Sequence, residues 1–186
     1  MTLNIGGKMK KVTLREHLNI LDQNKKAGAD NFSSLCRRLR KKFFDCGYPK
    51  TAMRTDLIGE YIHMIFETQD YRCTHWLHVE EDELNGLWNR PGKDYNSWKT
   101  PYIKYEIDHV HPVNAGGTDR LDNFQFLSAN ANQFTKCSLT YDDLLKRVDL
   151  SDLLKDRIRS VLEKRQELFR STKWEMFIEK IETLEG

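Results

Sequence analysis

Three absences limit what this 186-residue chain can be. It has four cysteines, and none of them forms a CxxC pair. This spacing argues against a disulfide-stapled scaffold or a zinc ribbon, and it favours a reducing, cytoplasmic location. No apolar run approaches the ~20 residues that a membrane span needs, and the N-terminal segment MTLNIGGKMKK lacks the apolar core of a signal peptide. We therefore expect no association with a membrane.

The chain also lacks internal repeats and low-complexity segments, which favours one compact unit. Its charge is uneven. Residues 1–60 hold 13 Lys and Arg against 6 Asp and Glu, residues 61–140 hold 7 against 11, and residues 141–186 hold 10 against 11. A basic N-terminal third beside an acidic centre is typical of a polyanion-binding region next to a cation site. We predict a basic helical region that contacts a polyanion in residues 1–60, a central core in residues 61–140 and a helical region in residues 141–186.

Helical periodicity dominates both ends of the chain. The segment TLRE at 13–16 is a capping box that predicts a helix ending at Gly28. A second capping box, Thr172–Glu175, predicts the start of the last helix. The spacing of apolar residues predicts three more helices. Their stripes are Phe32, Leu35, Leu39 and Phe43 in the first, Leu57, Ile58, Ile62, Ile65 and Phe66 in the second, and Leu154, Ile158, Val161, Leu162 and Leu168 in the third.

The central stretches 71–104 and 105–135 differ from these helices. The first is rich in aromatics, Gly, Pro and Asn, which predicts short strands and long loops. In the second, KYEIDHVHPV alternates and predicts a strand, and FQFL predicts another. Between them Gly116 and Gly117 are expected to supply positive φ angles. Because Ser128 can cap a helix, the predicted order is strand, loop, strand, helix.

The adjacent pair Asp108 and His109 is the candidate for chemistry in this stretch. In a strand the two side chains point to opposite faces, so the carboxylate can bind a metal while the imidazole reaches a water molecule. Asn132 would return to the metal if its helix packs across the two strands. Two oxygen ligands with open positions for water suit Mg²⁺ or Mn²⁺ better than zinc. A neutral His109 would then take a proton from the attacking water.

The segment DHVHPVNAGGTDRLDNFQFLSANANQF resembles the HNH, or ββα-metal, family of nucleases. The family core reads approximately D-H-[IV]-x-P, then G-G, then [LD]-N-[LF]-Q-x-L and a final N, and residues 105–135 follow it at matching spacing. Upstream, FETQDYRCTHW at 66–76 resembles the segment that often begins such domains. The resemblance implies an α+β fold, with a ββα-metal core in residues 61–140 flanked by N-terminal and C-terminal helices.

The resemblance also implies a role for each polar residue of the motif. Asp108 and Asn132 would be metal ligands, and His109 would be the general base. Asn123 would pin the loop and help to orient that base. Because Asn132 stands where other members have His, the chain resembles an H-N-N variant, which implies Mg²⁺-dependent chemistry. His111 would contact phosphate of the nucleic acid or assist in metal binding, and a structural role near Pro112 is the equal alternative.

The chain departs from the family in its cysteines. Many members hold a structural zinc with two CxxC pairs, but Ser128 and Ala131 occupy the positions of the second pair here. We therefore do not expect a structural zinc. The alternative is an irregular set of ligands made of Cys73, His75, His78 and Cys137.

The expected function is metal-dependent hydrolysis of phosphodiester bonds in double-stranded DNA, by a stand-alone restriction, phage or mobile-element endonuclease. A homodimer would allow both strands to be cut, since one site cuts one strand per engagement. The rivals are a non-catalytic nucleic-acid-binding protein on the same scaffold and a structure-selective or RNA-directed nuclease. Basic side chains of the second predicted helix would contact phosphates, with an ordinary solvated face as the alternative. They are Arg37, Arg38, Lys41 and Lys42.

Overall fold

The fold is α+β in the residues that the computed structural model describes, which are 2–5, 8–11, 32–70, 73–75, 105–128 and 131–184. Within these ranges the chain forms five α-helices and two antiparallel two-stranded sheets. The helices are α1 (Phe32–Asp45), α2 (Thr55–Thr68), α3 (Tyr141–Lys146), α4 (Asp152–Phe169) and α5 (Thr172–Glu182). The strands are β1 (Thr2–Ile5), β2 (Lys8–Lys11), β3 (Tyr105–His109) and β4 (Phe124–Ser128).

The N-terminal region contains a feature that the periodicity did not predict. Strands β1 and β2 pair in a hairpin whose register runs from Thr2 opposite Lys11 to Ile5 opposite Lys8. The helix predicted from the capping box at 13–16 lies outside the described residues. So does the stretch 71–104, apart from Cys73–His75. None of the helices that the structure describes is long and apolar enough to cross a bilayer.

The apolar stripes predicted for α1 and α2 are confirmed where their side chains are described. Leu35, Leu39 and Phe43 of α1 are fully buried, and so are four of the five predicted stripe residues of α2, with Leu57 at 2% exposure. The side chain of Phe32 lies outside the described part of the chain. Phe177 of α5 belongs to the same core cluster. Burial of these side chains supplies the main driving force for packing the helices together.

Strands β3 and β4 pack against α2 through aromatic rings. Phe66 of α2 stacks on Phe126 of β4 with ring centroids 4.5 Å apart. Just after α2, the buried amide of Gln69 pairs with the backbone of the same residue. Its Nε2 donates to the Phe126 carbonyl at 2.7 Å, and its Oε1 accepts from the Phe126 N–H at 3.0 Å. The side chain of Gln69 therefore bonds β4 as the backbone of a neighbouring strand would.

The C-terminal helices hold the loop between β3 and β4 in place. Leu154, Ile158 and Val161 of α4 are buried, as their spacing predicts, while Leu162 and Leu168 are half-buried. Arg165 of the same helix is 3% exposed and donates to the Asp122 carbonyl at 2.7 Å. Helix α4 thus supports the loop that leads into β4.

The predicted cap of the last helix is wrong by one residue. Helix α5 begins at Thr172, and its N-cap is Ser171 rather than Thr172. The Ser171 hydroxyl accepts from the Trp174 N–H and also donates to the Leu168 carbonyl at 2.6 Å. The Ser171 hydroxyl therefore bonds both the last turn of α4 and the first turn of α5. Thr172 lies one residue too far along the chain to make both bonds.

Candidate functional site

The strand, loop and strand expected between residues 105 and 128 are all present. Strands β3 and β4 pair so that Asp108 faces Gln125 and His109 faces Phe124. The helix that follows differs from the expectation, because Ser128 is the last residue of β4 and the turn at Ala131–Lys136 is π-helical. Successive side chains of a strand alternate between its faces. The two neighbours Asp108 and His109 therefore meet different surroundings.

His109 is held by a carboxylate from the loop. Its Nε2 lies 2.8 Å from Oδ1 of Asp119, and its ring lies 5.1 Å from the Phe124 ring. The Nζ atom of Lys42 lies 3.6 Å from the same Asp119 oxygen. The hydrogen bond from His109, with the nearby charge of Lys42, holds the pKa of Asp119 below its usual value. A histidine, a carboxylate and a lysine thus form one polar group on this side of β3.

Asn123 fixes the loop between the strands. Its Nδ2 donates to the carbonyls of His111 at 2.9 Å and Thr118 at 2.8 Å, and its Oδ1 accepts from the His111 N–H at 2.8 Å. Its own carbonyl accepts from the Val110 N–H at 2.7 Å. These four bonds join the two ends of the loop. The contacts match the loop-pinning part of the role that the family resemblance implies for this residue.

The two glycines of the loop serve different needs. Gly116 has the predicted positive φ, +93°. Gly117 does not, which corrects the expectation that both glycines supply such angles. A Cβ at Gly117 would lie 1.9 Å from the His111 carbonyl oxygen, so this position requires glycine for space. The tight approach brings the loop back against the end of β3.

Asp108 lies on the face of β3 opposite to His109. Its side chain is 14% exposed, and its Oδ2 accepts from Nε2 of Gln125 at 2.9 Å. The Nζ atom of Lys136 lies 4.0 Å from the same oxygen. Burial raises the pKa of Asp108, and the Lys136 charge and the Gln125 hydrogen bond oppose that rise. A carboxylate in this setting is stabilised by any further positive charge.

A chain of buried hydrogen bonds lies behind Asp108. Oε1 of Gln125 accepts from the Tyr141 hydroxyl at 2.8 Å and from Oγ1 of Thr74 at 3.2 Å. The Tyr141 hydroxyl lies 3.2 Å from Nε2 of His75. Burial lowers the pKa of His75 to about 3. The orientation of Asp108 is thus linked, through Gln125, to side chains from two separate parts of the chain, Thr74–His75 and Tyr141.

Lys136 joins the two sides of the site. Its side chain has no exposed surface, and its Nζ donates to the carbonyls of Leu139 at 2.6 Å and His109 at 3.3 Å. The same atom lies 5.2 Å from the centre of the Tyr141 ring. Burial lowers the pKa of this lysine, and the charge of Asp108 opposes that effect. Lys136 therefore contacts the backbone at His109 and lies beside the carboxylate of Asp108.

Asn132 lies on the π-helical turn and contacts β3 through Glu106. Its Nδ2 donates to Oε2 of Glu106 at 2.6 Å. Glu106 lies two residues before Asp108 and so belongs to the same face of the strand. In the described ranges, no three His, Cys, Asp or Glu side chains converge on one point. A cation at this face would rest on the Asp108 carboxylate, the Asn132 amide oxygen and water, and such hard oxygen donors fit Mg²⁺ or Mn²⁺.

The basic side chains of α1 flank the start of β3. Together with Glu106 and Ile107, they line an open cavity of about 620 Å³. Arg38 donates to the Tyr105 carbonyl at 2.5 Å, and Lys42 lies beside Asp119, so both contact the site directly. The other two are exposed to solvent, with Lys41 pairing with Asp45 at 2.8 Å. The exposed members of this set are Arg37 and Lys41.

The remaining predicted residues have simple surroundings. His111 is exposed, and its Nε2 lies 2.8 Å from the Ala115 carbonyl oxygen. Of the alternative zinc ligands, Cys73 and His75 are fully buried whereas Cys137 is exposed. His78 lies outside the described residues. The absence of a structural zinc stays a prediction.

Three residues of the site did not follow from the sequence as functional candidates: Asp119, Gln125 and Lys136. For Gln125 there was a signal, because pairing the two predicted strands in a hairpin places it opposite Asp108. For Asp119 and Lys136 no spacing rule applies, since their contacts arise only when the loop and the π-helical turn close on β3.

Comparisons of the chain with known proteins identified no relative. No family model, curated protein or solved structure matches the chain. The class that the structure itself defines is an α+β protein with a small antiparallel sheet that carries Asp108 and His109. Function has to be inferred from the chemistry of that site.

Proposed function

We propose that the chain is a metal-dependent endonuclease of the HNH type that hydrolyses phosphodiester bonds in DNA. The observation that carries the proposal is the separation of Asp108 and His109 across β3, each with its own polar partners. Asn123 supports it, because this residue bonds both ends of the intervening loop. The resemblance of residues 105–135 to the HNH motif points to the same reaction.

His109 is proposed as the general base. Its side chain is 19% exposed, so it can reach water while Asp119 restrains its ring. In its neutral form it would take a proton from a water molecule that attacks the phosphorus atom. A positioned base of this kind contributes a factor of about 10²–10⁴ in rate.

Asp108 and Asn132 are proposed to hold a divalent cation. Such a cation would supply stabilisation of the negative charge that develops on the phosphoryl oxygens and the leaving oxygen. Glu106 would position the Asn132 side chain, because its carboxylate accepts from Nδ2 and so leaves Oδ1 for the cation. Gln125 would orient Asp108 in the same way.

The basic face of α1 is proposed to bind the phosphate backbone of the substrate. Its exposed residues, Arg37 and Lys41, stand beside the cavity that reaches Glu106 of β3. Lys42 lies between this face and His109, through Asp119. A duplex that contacts α1 would therefore pass close to the general base. A homodimer that cuts both strands remains part of the proposal.

The test is incubation of supercoiled plasmid with Mg²⁺ or Mn²⁺, comparing the wild-type chain with His109→Ala. The wild type is expected to produce open circles or linear DNA, and the variant to cleave at least about 100-fold more slowly. Excess EDTA should abolish cleavage, and added Mg²⁺ should restore it. Fluorescence anisotropy with a labelled duplex should give equal DNA affinity for the two proteins.

The outcomes separate the rivals. Cleavage by His109→Ala at the wild-type rate would contradict the mechanism. DNA binding with no cleavage in either metal would favour a non-catalytic nucleic-acid-binding protein. Labelled RNA and branched DNA in the same assay test the RNA-directed and structure-selective alternatives. Discrete bands would indicate sequence specificity, and open circles alone would indicate nicking.

A further inference from the structure

Asp119 occupies a fixed position in the loop, although its side chain is 47% exposed. Its carbonyl accepts from Sγ of Cys46 at 3.2 Å, next to the end of α1. The preceding residue, Thr118, is bonded through its carbonyl to the amide of Asn123. The backbone is therefore restrained at Asp119 and at the residue before it. Its carboxylate meets His109 because the loop is built to bring it there.

The contact selects one nitrogen of the His109 ring. Oδ1 of Asp119 lies 2.8 Å from Nε2. An ionised carboxylate has no proton to donate, so in this hydrogen bond Asp119 is the acceptor. Lys42, 3.6 Å from the same oxygen, favours that ionised form. The proton of a neutral imidazole must then sit on Nε2, which leaves the lone pair on Nδ1.

We propose that Asp119 is a positioning residue that fixes the tautomer of His109, so that Nδ1 is the nitrogen that accepts the proton of the attacking water. The inference deepens the proposed nuclease function and rests on it. In the step, the O–H bond of water breaks and an N–H bond forms at Nδ1. The Nε2 proton stays in its hydrogen bond, and Asp119 stays ionised and stabilises the imidazolium that results.

The first test reads the tautomer without any cleavage. Protein with ¹⁵N-labelled histidine is studied by NMR at mildly alkaline pH without metal, and the His109 signals are assigned from their loss in His109→Gln. The wild type is expected to show a protonated Nε2 and an unprotonated Nδ1. In Asp119→Ala the averaged signals of a tautomer mixture should replace this pattern. Asp122→Ala, a matched control on the same loop, should keep it.

The second test uses kinetics on the plasmid substrate. Asp119→Ala should lower kcat about 10- to 100-fold with KM unchanged, since the carboxylate orients a group rather than binding DNA. Asp119→Asn keeps the size of the side chain, but its amide can donate to Nε2 and so permits the opposite tautomer. We therefore expect Asn to restore no activity over Ala, whereas a simple packing role would allow Asn to do so.

The two arms separate this inference from the proposed function. An unchanged tautomer pattern in Asp119→Ala would overturn the inference whatever the chain cleaves. Cleavage that needs His109 but not Asp119 would overturn it while the nuclease proposal stands. A fixed tautomer lost in Asp119→Ala, in a chain that cuts no nucleic acid, would support the positioning role and contradict the nuclease proposal.

Discussion

The two faces of β3 hold their functional candidates in opposite ways. On the Asp108 face the supporting residues are enclosed, with Gln125 and Lys136 both at 0% exposure. On the His109 face they are open, with the side chains of Asp119 at 47% and Lys42 at 27% exposure. One residue along the strand therefore separates a carboxylate whose polar partners are buried from an imidazole whose polar partners reach solvent.

The exposure of these partners determines how much each contact contributes to the stability of the fold. A buried polar group that loses its partner pays the full penalty of desolvation, about 1–3 kcal/mol and more for a charge. An exposed ion pair contributes about 0–1 kcal/mol because water replaces the lost partner. Replacing the buried partners of Asp108 should therefore lower the free energy of unfolding more than replacing the exposed partners of His109.

The largest effect is expected from Lys136→Met. The change keeps most of the side-chain volume but removes the donor to two carbonyls and the cation beside Asp108. Breaking a buried charge pair in this way destabilises by about 3–5 kcal/mol. Urea unfolding measures the loss, and Lys146→Met, at an exposed position of α3, should change stability by no more than about 0.5 kcal/mol. Combining Lys136→Met with Asp108→Asn should recover part of the loss, and strictly additive effects would show that the two charges do not interact.

A smaller loss is expected from Tyr141→Phe. The Tyr141 hydroxyl contacts both Gln125 and His75 in the buried chain behind Asp108. Its removal should lower the free energy of unfolding by about 1–3 kcal/mol. Tyr61→Phe is the matched comparison, because that buried hydroxyl makes one bond, to the Leu121 carbonyl at 2.8 Å. Equal losses in the two variants would mean that the chain behind Asp108 adds nothing beyond a single hydrogen bond.

The pH dependence of stability should show the same buried chain. Burial lowers the pKa of His75 from 6.5 to about 3, so the unfolded chain binds a proton that the folded chain does not in this interval. Stability should therefore fall as the pH drops below about 6.5, by roughly 1.4 kcal/mol per pH unit for one proton. Urea midpoints measured from neutral pH to about pH 5 would show the slope. The slope should be shallower in His75→Gln, and identical slopes would rule out His75 as its source.

On the open face, Asp119→Ala should change the free energy of unfolding by less than about 1 kcal/mol. The carboxylate is half exposed, so water can replace it as the partner of His109 and Lys42. Thermal and urea unfolding test this directly. A loss as large as that of Lys136→Met would show that the two faces are not different in the way proposed.

The smallest effect on folding is expected from replacing Arg37 and Lys41 with Gln, because both are exposed. Their effect should appear in DNA binding instead. If each contacts a phosphate, the slope of log Kobs against log salt should become shallower by about 2. Lys50→Gln combined with Lys146→Gln is a control of equal charge at other exposed positions. An unchanged slope in the Arg37 and Lys41 variant would make this an ordinary solvated helix face.

Sequence reasoning reached the parts of the site that depend on local rules. The alternation of KYEIDHVHPV predicted β3, and a Gly-Gly turn followed by FQFL predicted the loop and β4. Apolar spacing identified the buried faces of α1, α2 and α4. These features depend on neighbours within a few positions, which a sequence states directly.

The rest of the site depends on contacts between distant segments. Asp119 meets His109 only after Gly117 lets the loop approach β3, and Lys136 reaches the strand only through the π-helical turn. Gly117 was predicted to be needed for a positive φ angle, whereas it is needed because a Cβ at this position would clash with the His111 carbonyl oxygen. The capping-box pattern placed the N-cap of α5 at Thr172 instead of Ser171, because both adjacent residues carry a hydroxyl. The choice between them depends on the contact with the end of α4, which the pattern does not include.

Gln69 has a consequence for how the molecule meets other chains. An open strand edge presents N–H and C=O groups that can recruit a further strand and lead to edge-to-edge association. At Phe126 the edge of β4 is already filled, since one side-chain amide provides both the donor and the acceptor that a third strand would bring. The side chain of Gln69 thus prevents a further strand from pairing with β4 at Phe126.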